Sequence, residues 1–261
     1  MPLISVVVPC YPPHQKHIPK LLEQLNKQTL KPDVIIISLS EVSEAEIKER
    51  QYSWTSLTEI PLQVVGQAGK ALAAVNRNYG ALYVYSEYVL FLDADDIYHE
   101  KLIEVLHKYI CIHEPDAILY HLTEDSFDST TEPVQRKFYD SSTLFDIAYP
   151  DKKRNSISEM YNDKPQLFLE STIHHGHSCV RYSVWQECPQ DDLKGREDSV
   201  YVRALLWNWH ETGRKTSGVI IIPEVLTYYE QSLEHRLEYM NARWAEIDKL
   251  EANGVSCEKV E

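Results

Sequence analysis

The chain has 261 residues, 43% of them hydrophobic, which is enough apolar material for a sizeable globular core. Asp and Glu total 40 against 26 Lys and Arg, a formal charge of −14, so there is no basic excess to neutralise a phosphate backbone and nucleic-acid binding is excluded. Five cysteines without a CxxC spacing argue against a disulfide framework or zinc knuckle and for idle thiols in a reducing, cytoplasmic compartment.

Leu3–Val8 is an apolar, β-branched run of the kind a strand buried on both faces requires, closed by Pro9. It lacks a basic n-region and a small-residue cleavage site, so it reads as a strand and not a signal peptide. No apolar stretch approaches the roughly 20 residues needed to cross a bilayer, which leaves only peripheral contact with a membrane. Ile18, Leu21, Leu22 and Leu25 fall at i, i+3, i+4 and i+7 and give a helix one apolar face. Lys31-Pro32-Asp33 is a turn, and Val34–Ile37 a second strand. Ala45–Arg50 reads as a short charged helix, Leu62–Val65 as a third strand and Gly69–Leu82 as an Ala-rich helix. Tyr88–Leu92 is a fourth strand ending at Asp93, and Leu102, Ile103, Leu106 and Ile110 mark the next helical stripe.

The second half is less regular. Ala117–Leu122 is a strand candidate, Thr123–Thr131 an acidic loop and Asp151–Asn155 a charged turn. Ser178–Trp185 is expected to begin a helix, and Val219–Ile222 is a late strand. From Leu233 a charged helix carries Leu237, Met240, Trp244 and Ile247 on one stripe, better suited to packing on the body than on a second subunit.

Strands alternating with helices over the first 110 residues imply βαβ units and a mainly parallel sheet. Right-handed crossovers then put the carboxyl ends of the strands on one edge, where open α/β sheets bind ligands. That edge collects Pro9–Tyr11 and Asp93–Asp96.

Phe91-Leu-Asp-Ala-Asp-Asp96 releases three carboxylates where an apolar strand stops, and hard divalent cations take such oxygen ligands. A polar strand-to-helix loop, with Asp95 or Asp96 capping a helix near Tyr98, explains the same residues equally well in isolation. For Glu197-Asp198 the commoner explanation is a solvated helix N-terminus, where acids suit the macrodipole. The cluster His174, His175 and His177 reads first as a surface loop, and His235 as a helix-face residue; in either place a metal-ligand role is the less common one. Trp185, Trp207 and Trp209 offer faces for sugar stacking, though core packing is the commoner use, and Trp207 and Trp209 cannot both face inward on one helix.

Ser5-Val-Val-Val-Pro-Cys-Tyr11, Leu21-Leu-x-x-Leu25, Gln28-Thr-Leu30 and Pro32-Asp-Val-Ile-Ile36 together resemble the opening of a family 2 glycosyltransferase. Gly69-Lys-Ala-Leu-Ala-Ala-Val-Asn-Arg-Asn78 followed by Tyr88–Asp96 continues the likeness, and Gly195-Arg-Glu-Asp198 resembles the family's later acidic motif. The resemblance implies a GT-A fold: a Rossmann-like, mainly parallel sheet flanked by helices, with a smaller mixed region on the acceptor side and a C-terminal helix. It divides the chain into one domain over 1–232, with a nucleotide-sugar half (1–110) and an acceptor half (111–232), and a helical tail (233–261). It implies a metal-dependent, inverting transfer of a sugar from a UDP- or GDP-linked donor to a glycan or other acceptor hydroxyl.

By the same resemblance, Asp95 is the main ligand of Mn²⁺ or Mg²⁺, with Asp96 and His235 completing the metal set. Asp93 and Ala94 lie near the ribose or sugar, Pro9 and Tyr11 line the base and ribose site, and Lys70, Arg77 and Asn78 lie near the sugar phosphate. Asp198 is the catalytic base, with Glu197 beside it. The family's Asp-Asp-Gly-Ser segment after the second strand is replaced here by Ile37-Ser-Leu-Ser-Glu-Val-Ser43, so contact with the base passes to Ser38 or Ser40, with Glu41 close by. An aspartyl phosphatase would carry its Asp-x-Asp on the first strand, and a nucleotidyltransferase would need a Gly-rich loop where Tyr11-Pro-Pro-His14 stands. A GT-A scaffold without transfer activity is the non-enzyme alternative.

Overall fold

A computed structural model describes residues 3–123, 128–153, 173–190 and 197–229. The first three strands run beyond their apolar cores: β1 is Ile4–Cys10, β2 Val34–Ser40 and β3 Leu62–Gln67, while β4 is the shorter Tyr88–Phe91. Pro9 therefore lies inside β1 and does not close it. Its position is permitted because the carbonyl of Val7 faces β4, accepting from Leu92, so the Pro9 nitrogen two residues on faces the same side. Pairing with β4 stops at Val7, and no ladder donor is missed there.

Helix α1 (Ile18–Lys27) buries all four of its predicted apolar positions. Helix α2 (Glu44–Thr55) is twice the expected length, running five residues past Arg50, and a capping box starts it: Ser43 Oγ accepts from Glu46 N at 3.3 Å, and Glu46 Oε2 accepts from Ser43 N at 2.8 Å. Helix α3 (Ala73–Ala81) starts later than the Ala-rich run suggests, because the preceding segment is tied back to the β2 exit, where the Gly69 carbonyl accepts from Glu41 N at 3.1 Å. It lies close on the sheet: a Cβ on Gly80 would meet Val7 Cγ1 at 2.7 Å and Ser38 Cβ at 3.0 Å.

The remaining elements are β5 (Ile97–Tyr98), α4 (Leu102–His113), β6 (Ala117–Thr123), α5 (Ser141–Ala148), β7 (Ile173–Arg181), α6 (Tyr182–Glu187), α7 (Glu197–Thr212) and β8 (Val219–Tyr228). They complete an eight-stranded sheet of order β3-β2-β1-β4-β7-β6-β8-β5. The β3-β2-β1-β4 half is parallel throughout, and β7 runs antiparallel to both β4 and β6. Ser178–Trp185 was expected to begin a helix, but residues 178–181 continue β7 and helix begins only at Tyr182. The histidine-rich stretch is thus central strand, not surface loop.

Helices cover both faces. Val6, Val8, Ile35 and Ile37 face a core shared with α1 and α4, while Val7, Ile36 and Phe91 face one shared with α3, α5 and α7. Trp185 is buried in the second core, and Trp207 and Trp209, not expected both to face inward, both pack half-buried against it, so these three aromatic side chains serve packing. The chain divides into two units, residues 1–228 and 229–261, and the elements above belong to the first. The C-terminal stripe from Leu233 and His235 lie outside the described residues.

Strand β3 is a sheet edge, and α2 closes part of it. Gln51 Oε1 accepts from Val64 N at 2.7 Å and Gln51 Nε2 donates to the Leu62 carbonyl at 2.9 Å, so one side-chain amide stands where a neighbouring strand's peptide would. Gln51→Ala is expected to cost about 1–2 kcal/mol, two hydrogen bonds' worth, and to promote edge-to-edge association. Urea unfolding and light scattering against concentration check this; a monomer with an unshifted midpoint would refute it.

Candidate active site

The parallel half of the sheet brings the ends of β1, β2, β3 and β4 to one edge. After β4 the chain turns sharply through Asp93–Asp96 into β5, and Gln24 of α1 holds the turn. Its Nε2 donates to the Asp96 carbonyl at 3.1 Å, and its Oε1 accepts from Tyr98 N at 2.7 Å. Tyr98 Oη donates to the Asp93 carbonyl at 2.7 Å. Asp95 and Asp96 therefore do not cap a helix at Tyr98; α4 starts at Leu102.

The three carboxylates have different surroundings. Asp93 Oδ1 accepts from Arg77 Nη2 at 2.8 Å, with Arg77 buried on α3. His177, wholly buried on β7, places Nε2 at 3.0 Å from Asp96 Oδ2 and 3.5 Å from Asp93 Oδ2. Asp95 sits at the rim, its side chain 34% exposed, with His14 Nε2 3.8 Å from Oδ2. Burial pushes the Asp96 carboxyl up to about 6, against the pull of His177. Burial alone would lower His177, but its bonds to Asp93 and Asp96 outweigh it and raise the imidazole to about 9. Between those values the two groups form a buried ion pair.

The donor set suits a divalent cation. Asp93, Asp96 and His177 offer ligand atoms within 4.8 Å of one another, although His177 Nε2 is taken up by its pairing with Asp96. Asp93 and Asp95, the two acids with solvent access, could leave coordination positions open to a diphosphate; Asp96 and His177 are sealed.

Of the other residues singled out in the sequence, Pro9 and Ala94 are buried at this edge and Tyr11 is exposed just past β1. Ser38 and Ser40 are fully buried in β2, Ser38 under α3. Lys70 is exposed before α3. Asn78 commits its amide elsewhere: Oδ1 accepts from Trp185 Nε1 and Gln190 N, both at 3.1 Å, and Nδ2 donates to the Gln190 carbonyl at 2.6 Å. Glu197 and Asp198 are the first residues of α7, which packs on β7, the strand that carries His177. Sequence reasoning missed His14, Gln24 and Tyr98, and weighed His177 only as one of a three-histidine cluster whose metal-ligand role was the less common reading. His14 was within reach of the edge argument, being four residues past Cys10; His177 carried no such signal.

A parallel half-sheet joined to antiparallel strands and flanked by helices is the GT-A fold, and solved glycosyltransferase structures share it. S. aureus TarS (residues 1–349) superposes with a TM-score of 0.58 at 17% identity, over 94% of this chain and 65% of that one, and has also been solved with UDP-GlcNAc. The mannosyltransferase PcManGT from Pyrobaculum calidifontis, solved with GDP-Man and Mn²⁺, gives a TM-score of 0.58 at 13% identity, over 89% of this chain and 58% of that one.

The chain belongs to glycosyl transferase family 2, whose profile matches residues 5–184. An uncharacterized glycosyltransferase of Haemophilus influenzae is 28% identical over 142 residues, 51% of this chain and 45% of that protein. The chain thus spans less than half the length of the curated relatives it matches. No helix among the described residues is long and apolar enough to cross a membrane.

Proposed function

We propose that the chain transfers a sugar from a UDP- or GDP-linked donor to a glycan or other acceptor hydroxyl, with inversion at the sugar carbon and with Mn²⁺ or Mg²⁺ at the Asp93–Asp96 turn. The observation that carries this reading is that turn itself: its backbone is held by Gln24, Asp93 by Arg77 and Asp96 by His177, with Asp95 at the rim, at the edge where α/β sheets take ligands. The neighbours solved with UDP-GlcNAc and with GDP-Man and Mn²⁺ support the donor class.

In this reading Asp93 and Asp95 hold the cation from the solvent side, and Asp96 supports them from beneath. The cation would neutralise charge growing on the leaving diphosphate. Arg77 fixes the orientation of Asp93. Pro9 and Tyr11 bound the base and ribose site, Ala94 lies near the ribose or sugar, and Lys70 lies near the sugar phosphate; Asn78, held by Trp185 and Gln190, and the buried Ser38 and Ser40 support that edge from within. Asp198, with Glu197 beside it, accepts the proton of the attacking hydroxyl on the face opposite the diphosphate. Residues 1–110 would serve the donor and 111–232 the acceptor.

Calorimetric titration of UDP, GDP, UDP-GlcNAc and GDP-Man, with Mn²⁺ and with EDTA, tests the proposal. One nucleotide is expected to bind at least about tenfold more tightly with Mn²⁺, or about 1.4 kcal/mol. A folded sample that binds none of them in either condition would overturn the transferase reading in favour of a scaffold.

A further inference from the structure

His14 lies outside the blocks that carry the family resemblance, yet the fold delivers it to the mouth of the acidic site. Directly after β1, Pro12 and Pro13 open a short 3₁₀ turn (Pro12–His17), which His14 N closes by donating to the Tyr11 carbonyl at 2.9 Å. The Tyr11 ring lies against the imidazole, centroids 4.2 Å apart, and limits how far it can swing. In that orientation His14 Nε2 stands 3.8 Å from Asp95 Oδ2.

That separation is long for a direct hydrogen bond. It suits two atoms converging on a third: ligands each about 2.1 Å from one cation stand about 3.0 Å apart at about 90° and about 3.8 Å apart at about 130°. Both side chains keep solvent access, 26% for His14 and 34% for Asp95, so water or a diphosphate could occupy the remaining positions. The Asp96–His177 pair beneath is closed to solvent and lacks that opening.

We infer that His14 Nε2 is a ligand of the divalent cation, paired with Asp95 at the rim. The inference rests on the transferase reading only for the presence of a cation. One imidazole in an otherwise oxygen shell would bias the site toward Mn²⁺ and against Mg²⁺, which prefers carboxylate, carbonyl and water ligands.

The test uses the full chain loaded with Mn²⁺. Electron spin-echo spectra are expected to show histidine-nitrogen modulation, and His14→Ala to remove it. The same substitution is expected to weaken Mn²⁺ by about 10- to 100-fold in calorimetry and Mg²⁺ by less. His17→Ala, whose ring stands 5.9 Å from that of His14, controls for loss of a nearby imidazole and is expected to change neither. The half-exposed position of His14 leaves the fold intact, which an unchanged urea midpoint verifies. Undiminished nitrogen modulation with unchanged Mn²⁺ affinity in His14→Ala overturns the inference, the nitrogen then coming from elsewhere, such as His177. A fall in nucleotide affinity with Mn²⁺ affinity unchanged overturns it too, assigning the imidazole to the phosphates while the transferase reading stands. A chain that binds Mn²⁺ through His14 but no nucleotide would sink the transferase reading and keep this one.

Discussion

His177→Leu is expected to lower the unfolding free energy by about 3–5 kcal/mol at neutral pH, the usual cost of removing one partner of a buried ion pair. Leucine fills much of the imidazole's volume, so the loss is electrostatic: Asp96, 2% exposed, loses the cation that offsets the cost of its burial. Asp93 is less affected, because Arg77 still holds its other oxygen. The dependence on pH separates this from a packing defect. In the wild-type protein the imidazole is raised from 6.5 to about 9, so its contribution is complete below 6.5 and is lost as pH rises through about 9. Asp96 is raised from 3.8 to about 6, so its ionisation costs stability as pH climbs through that window. The gap between wild type and variant is therefore expected to be full below about 6.5 and to narrow as pH rises through about 9. Urea unfolding in EDTA across that range measures it. Adding Asp96→Asn to the variant should recover much of the loss, since it removes the stranded charge. A gap that does not vary with pH would assign His177 to packing alone.

The parallel half of the sheet was legible because β1, β2 and β4 carry apolar runs buried on both faces, while the edge strand β3, interrupted by Gln63 and Gln67, shows only through Leu62, Val64 and Val65. The acidic turn was legible for the opposite reason: Asp93, Asp95 and Asp96 interrupt such a run abruptly. Strand β7 hid because Ile173-His-His-Gly-His-Ser178 has the composition of a loop. It forms a strand only because β4 and β6 offer backbone on both sides and Asp93 and Asp96 supply the counter-charge that lets His177 be buried. Local propensity cannot register a partner more than 80 positions away. Gln24 escaped notice similarly, as one polar residue on a helix whose apolar face took the attention. The altered stretch after β2 is instructive in its backbone. Glu41 turns the chain with φ of 58°, the left-handed conformation glycine adopts freely, so the sharp exit from the strand is kept without a glycine to ease it.

Asp198→Asn is expected to reduce turnover by about 10²- to 10⁴-fold while leaving donor affinity unchanged, because asparagine keeps the shape of the side chain but cannot take a proton. The prediction draws on what lies on each side of β7. The strand carries His177, paired with the acidic turn, and supports α7, whose first two residues are Glu197 and Asp198. One strand thus links the proposed donor side to the proposed base. The competing role for these acids is helical: at the amino end of α7 they favour the macrodipole by about 0.3–1 kcal/mol each. That role predicts a small loss of stability on Asp198→Asn and full turnover. Steady-state rates, donor titration and an unfolding curve for the same variant decide between them. A rate loss with an unmoved midpoint and donor affinity marks a base; a moved midpoint with full turnover marks a helix terminus. Glu197→Gln serves as the neighbouring comparison. If it alone carries the rate loss, the proton goes to Glu197 and the order of the two acids is reversed.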